Sequence, residues 1–246
     1  MKIIACLLLL LTSVAASATT TVTVYTYHNH PPFVTGDHKG LTYDLVDRFN
    51  AIAGDKLQFE VQVIPRSRLN MLLAKWVSGE CRETRCDDNW VVPWVNPKWG
   101  FGAEPRINFG WVRQLQDANQ IVSRSEAPVD YSGPESLTGK VFGGIRGHRY
   151  VGIDDLAASG AIKRIDGNNE RNNLLKLLMG RIDATLLPKS TVEYYMQQDE
   201  VITPQGSELY IAGTAHQQYW RYLMFPVARP DLQRVFEQFS ISALTE

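Results

Sequence analysis

The feature that most constrains this chain is a repeated order of strand patterns and helix patterns. Thr21–Tyr27 alternates Thr with aliphatic or aromatic residues, the period of a strand, and Pro31-Pro32 ends it. Leu41, Leu45, Phe49 and Ile52 recur at helical spacing up to Gly54. Phe59, Val61 and Val63 alternate with Glu60 and Gln62, and Ser67 is placed to cap a helix carrying Leu69, Leu72, Leu73, Trp76 and Val77. The same grammar restarts after residues 120–123. It predicts a strand at Lys140–Ile145, a helix through Leu156 to Gly160, a strand at Ala161–Ile165 and a helix at Asn172–Met179. A strand at Asp183–Leu187 and a helix opened by the capping-box spacing of Ser190-Thr191-Val192-Glu193 follow. Strand-like segments at Glu208–Ala212 and Tyr222–Val227 precede a last helix with Pro230 in its first turn and Leu232, Val235, Phe236 and Phe239 on one face. This alternation calls for an α/β fold built on mainly parallel sheets flanked by helices. Two such runs predict two lobes with a cleft between them, where ligands meet strand ends and helix N-termini. Residues 81–118 fit neither period, and they hold Trp90, Trp94, Trp99 and Trp111.

The 246 residues are 44% hydrophobic and 21% charged, an ordinary globular balance that excludes disorder, collagen-like repeats and a coiled coil. Lys and Arg number 25 against 26 Asp and Glu, with no block of like charge, so no electrostatic grip on nucleic acid or anionic membrane is expected.

The first eighteen residues read as a signal peptide rather than as fold. Lys2 supplies the charge, Ile3 to Leu11 the apolar run and Ala16-Ser17-Ala18 the small residues of a cleavage site near Ala18-Thr19. The run is too short to span a bilayer, and Cys6 lies before most of it, the wrong place for lipidation. Export leaves Cys81 and Cys86, and in an oxidising compartment so close a pair reads as a local disulfide. None of the five His lies close enough in sequence to support a metal site there. So small a loop gains less than the roughly 3 kcal/mol of a fifteen-residue one, so the bond would shape a loop.

Four segments, in order, carry a resemblance. They are Pro31-Pro32-Phe33 after the first strand, Gly40-Leu41-Thr42-Tyr43-Asp44-Leu45 at the first helix, Leu137-Thr138-Gly139-Lys140-Val141-Phe142-Gly143 with Gly147, and Gly180-Arg181-Ile182-Asp183-Ala184. With these the chain resembles the periplasmic solute-binding proteins of family 3, the amino-acid-binding branch of the two-lobed type II fold. The resemblance implies lobe 1 from residues 19–120 plus 214–246, lobe 2 from residues 121–213, and crossings near residues 119–125 and 208–216. It implies binding sites at His30, where the family has a stacking aromatic, at Arg106 for a ligand carboxylate, and at Gly147-His148-Arg149, where the family holds that carboxylate at a helix start. Pro188 stands where the family has the Asp that binds an α-amino group, and Pro supplies neither charge nor donor.

Arg106, Arg146, Arg149 and Lys189 would then surround the cleft and favour an anion, a carboxylate held by Arg; solvated surface charge is the alternative for Arg146 and Lys189. Trp94 and Trp99 are either cleft walls that stack a ligand or core anchors. Tyr27 either lines the same wall or belongs to the strand core. His28, His30 and His38 invite a metal reading, but no carboxylate or Cys stands at a supporting spacing, and His30 reads better as a polar cleft wall. No nucleophile elbow, zinc-protease helix or phosphate loop occurs.

The expectation is therefore a monomeric periplasmic binding protein without cofactor or metal, and not an enzyme. It would close on a small, carboxylate-bearing solute and present it to a membrane permease. A ligand sensor for a membrane receptor is the first alternative. The second, an enzyme resembling cyclohexadienyl dehydratases of this fold, needs an acid over a leaving hydroxyl, and the sequence nominates none.

Overall fold

A computed structural model describes residues 19–80, 87–101 and 109–242. Thr20–Thr26 (β1), Leu57–Val63 (β2) and Trp90–Val95 (β3) form parallel pairs with β1 in the middle. Phe109–Arg124 (β4) and Gln217–Pro226 (β9) are long antiparallel partners paired from Phe109↔Pro226 to Asn119↔Gln217. Val141–Ile145 (β5), Lys163–Gly167 (β6) and Ala184–Pro188 (β7) form the second parallel group, and Leu209–Ile211 (β8) adds to β4. The strand order is β2-β1-β3-β9-β4-β7-β5-β6, so β4 and β9 are the bridge between two parallel groups. At Asn119 the bridge changes partner, because β4 meets Gln217 of β9 on one edge and Pro188 of β7 on the other.

Helices and loops pack on both faces of each parallel group. In the first, Phe33, Leu45, Phe49, Phe59, Leu232 and Phe236 pack Leu41–Ala53 (α1) and Pro230–Ser242 (α6) on one side. Leu69, Leu73, Trp90 and Phe109 pack Arg66–Ser78 (α2) on the other. In the second, Leu137, Phe142, Tyr150, Ile153 and Leu156 cover one face with the short helix Ile153–Ala158 (α3). Leu174, Leu177, Ile182, Val192 and Tyr195 cover the other with Glu170–Leu178 (α4) and Lys189–Gln198 (α5). This two-lobed α/β architecture is the one the strand and helix periods imply. Among the described residues no helix is long and apolar enough to cross a membrane.

Local departures have physical reasons. Every residue of β3 is buried, so Trp-Val-Val-Pro-Trp-Val has no alternation to read. Ser67 does not cap α2: the helix begins at Arg66 after Pro65, with no side-chain cap. Ser190 does not cap α5 either, because its hydroxyl is engaged by Asp117 of β4. Gly40 opens α1 with φ +107°, and a Cβ there would sit 2.9 Å from the carbonyl oxygens of both Phe33 and Pro32. Only glycine fits this close turn, which folds the Pro31-Pro32 segment (its peptide bond cis) back over α1.

Candidate functional site

A cavity of about 780 Å³ lies where the two parallel groups face each other. Tyr27, His28, Asn29, His30, Arg66 and Trp99 line it from the first lobe. His148, Arg149, Tyr150, Asn168, Asn169 and Glu170 line it from the second, and Asn119, His216, Gln217, Tyr219 and Arg221 from the crossing segments. Most of these side chains follow the carboxyl ends of strands, where such folds leave loops free to bind.

The first-lobe wall is an aromatic and cationic cluster. The Tyr27 and His28 rings meet at a tilt of 34° with centroids 4.1 Å apart, and the His28 ring meets Phe33 at 5.2 Å and His30 at 5.7 Å. Burial pushes His28 well below the usual histidine range, reinforced by the Arg221 charge, so the ring is neutral. Its Nε2 is buried without a hydrogen-bond partner among the described residues. Arg66 is fixed by donation to Asn70 Oδ1 (2.8 Å), the Tyr27 hydroxyl (3.2 Å) and the Trp99 carbonyl (2.7 Å), and stands 3.8 Å over the Phe101 ring. It has no carboxylate partner among the described residues, so a held positive charge stands on this wall.

The floor is a charged network on the bridge. Side chains two apart on a strand share a face, so Asp117 and Asn119 of β4 meet Tyr219 and Arg221 of β9. Arg221 donates to Asp117 (2.8 Å), the Trp94 carbonyl (3.1 Å) and the Tyr219 hydroxyl (3.2 Å), and Tyr219 donates to Asn119 (3.1 Å). Phe33, Trp99 and Tyr219 place their rings 4.6, 5.5 and 5.2 Å from the guanidinium carbon. Asp117 also accepts from the Ser190 hydroxyl (2.8 Å) and backbone N–H (3.2 Å), which ties the start of α5 to the bridge. A second tie joins Thr191 of α5 to the first lobe, its hydroxyl donating to the Pro31 carbonyl at 3.0 Å.

On the second-lobe wall, Glu170 is the first residue of α4, beside the cap Asn169. It is 7% exposed and has neither a hydrogen bond nor an ion pair among the described residues. Its charge raises the His30 pKa across the cleft, although burial, the larger effect, leaves that histidine lowered overall. Burial and this same charge push Tyr150 and Tyr195 up to about 12. Arg149 is exposed at the cavity mouth.

Of the residues the sequence singles out, Tyr27, His30, Trp99, His148 and Arg149 line this cavity. Trp94 does not. A bulge between Val92 and Val95 and φ +66° turn its indole into the core, 6% exposed, where Nε1 donates to Thr42 at 3.0 Å. His148 and Arg149 sit in the turn after β5, and α3 starts only at Ile153, so neither is at a helix start. Lys189 pairs with Glu193 at 3.4 Å and, like Arg146, is not among the lining residues. Arg106, Cys81 and Cys86 lie outside the described residues, as does the segment 1–18. No group of three or more His, Cys, Asp or Glu able to hold a metal ion occurs among the described residues.

The sequence reading missed Arg66, Asp117, Arg221 and Glu170. For Glu170 a signal exists, a carboxylate at a helix start directly after a strand. For the Asp117–Arg221 pair there is none, since the partners are far apart in sequence.

No protein-family model matches the chain, and no curated protein matches it in sequence. Solved structures do match in fold. The holo form of ArgBP from T. maritima is 16% identical with a TM-score of 0.57, over 92% of this chain and 91% of that one. An arginine 3rd transport system periplasmic binding protein from Legionella pneumophila is 14% identical with a TM-score of 0.55, over 93% and 95%. The periplasmic VFT2 domain of BvgS from Bordetella pertussis is 18% identical with a TM-score of 0.51, over 87% and 84%. At this identity the likeness is one of fold: a two-lobed α/β architecture shared with periplasmic binding proteins.

Proposed function

We propose that this chain is an exported solute-binding protein of the family 3 type. It captures a small carboxylate-bearing solute, amino-acid-like or an organic acid, between its lobes and presents it to a membrane transporter. The observation that carries this reading is the cavity of about 780 Å³ whose walls come from both lobes and whose floor is the two-strand bridge. A ligand touching both walls stabilises the closed arrangement by its differential affinity, and a transporter can read that arrangement. Arg66, held without a carboxylate partner, and Arg149 supply the positive charge for the solute's carboxylate. Lobe 1 is assigned to residues 19–120 plus 214–246, lobe 2 to 121–213, and residues 1–18 to a signal peptide that delivers a monomer to the periplasm. Cys81 and Cys86 are assigned to a disulfide and Arg106 to the carboxylate side of the site. The fold neighbours include an arginine-bound ArgBP, in line with an amino-acid-like solute.

A thermal-shift screen against amino acids, dicarboxylates, aromatic acids and oligopeptides, with product analysis of every hit, tests this. A solute at 100 times its dissociation constant adds about 2.7 kcal/mol of stability. Recovery of the solute unchanged supports the reading, and its consumption replaces it with the enzyme reading.

A further inference from the structure

An acceptor left open in the cavity indicates what else the solute carries. Glu170 and His28 stand on opposite walls, each 7% exposed and both lining the cavity. Glu170 has no ion pair or hydrogen bond among the described residues, and His28 Nε2 is buried without a partner. The Glu170 side chain borders the cavity and is engaged by no protein group among the described residues, so it is open to a solute. The start of α4 favours a negative charge there, as a helix N-terminus does. Pro188, by contrast, lines the cavity with no charge to offer.

We propose that Glu170 pairs with a cationic nitrogen group of the solute, an ammonium or guanidinium. This rests on the binding-protein reading of the cavity and deepens it. With Arg66 and Arg149 available for a carboxylate, the solute is a zwitterion or carries a net positive charge, and a dicarboxylate without a cation does not satisfy the site. Glu170 thus supplies from the start of α4 the negative charge that the segment around Pro188 lacks. The Arg221 charge near the floor does not oppose this, because Asp117 compensates it.

The test uses calorimetric titration of the exported chain with L-glutamine, L-arginine and L-lysine, with N-acetyl-L-glutamine and doubly acetylated L-lysine, and with succinate. Binding of at least one free amino acid is expected, weakened at least tenfold in an acetylated counterpart that has lost its cation. Glu170→Gln should weaken the same amino acid about tenfold to a hundredfold, the range for a hydrogen bond to a charged group. Glu170→Asp, which keeps the charge, should retain part of the affinity. Circular dichroism without ligand should match for all three proteins, and the thermal midpoint should move by no more than the roughly 0.3–1 kcal/mol of a charge at a helix N-terminus. Binding of succinate or the acetylated compounds as tight as that of the free amino acids overturns the inference and leaves the binding-protein reading standing, as does full affinity in Glu170→Gln. Absence of binding by every compound counts against both.

Discussion

Arg221 of β9 donates to Asp117 of β4 at 2.8 Å, and the two side chains are 2% and 1% exposed. Such a pair costs desolvation that its Coulomb attraction only partly returns, so its presence calls for a role beyond stability. Asp117 supplies one. It binds Arg221 on one side and the hydroxyl and backbone N–H of Ser190 on the other, so the first turn of the second-lobe helix α5 is referenced to the bridge.

Removing one partner strands the other. Asp117→Asn or Arg221→Met should each lower the unfolding free energy by about 3–5 kcal/mol, and the double variant should lose less than the sum of the two. Urea denaturation of the three variants checks this, and additive losses would show that the two charges do not act as a pair.

Thr191→Val keeps shape and removes the hydroxyl that reaches Pro31 across the cleft. The contact forms only when the lobes meet, so the loss should fall on solute binding. Affinity should drop by about 0.5–1.5 kcal/mol with the unfolding midpoint nearly unchanged. Titration of a screening hit beside a melting curve separates the two effects, and a fallen midpoint with intact affinity contradicts the assignment.

Three histidines set the acid side of stability. His28, His30 and His216 are each lowered by burial, His28 most strongly. A histidine lowered on folding takes up its proton more readily in the unfolded chain. The stability it contributes is therefore present above about pH 6.5 and is lost as the pH falls from there toward the folded value. His28→Phe, placed among Tyr27, Phe33 and Trp99, should flatten the dependence by up to about 1.4 kcal/mol per pH unit between pH 5 and 6.5. Unfolding titrations at several pH values measure the slope, and an unchanged slope means that His28 takes up its proton alike in the folded and unfolded chain.

Gly40→Ala meets two backbone carbonyls at 2.9 Å in a conformation that L-residues avoid. A loss of about 1–3 kcal/mol is expected, with the Pro31-Pro32 segment and His30 displaced. Denaturation and the titration of a hit should both register it, and a neutral result would mean that the turn relaxes freely.

What could be read from the chain alone follows from which interactions are local. Helices such as Leu41–Ala53 and Pro230–Ser242 bury one stripe and show it as period, and β1 and β2 do so at period two. Strand β3 is buried throughout and shows nothing. The motifs point to His30, His148 and Arg149, and residue type to Tyr27 and Trp99 with a core alternative; all five line the cavity, because loops after strands carry binding residues in folds of this kind. Trp94 was legible only as an aromatic; the bulge that turns it inward depends on the pairing of β3 with β9. Ser190 has capping-box spacing, yet an acidic group 73 residues away in the chain takes its hydroxyl. Glu170 carries a signal, a carboxylate at a helix start just after a strand, but nothing local in sequence separates it from solvated helix surface.

The most direct test of the central claim is equilibrium dialysis of residues 19–246 against a mixture of free amino acids and dicarboxylates, with the retained solute identified by mass after unfolding. The account predicts one equivalent of an unaltered solute bearing both a carboxylate and a cationic nitrogen, and retention that falls at least tenfold in Glu170→Gln. Retention of nothing, of a dicarboxylate alone, or of a chemically altered solute would contradict it.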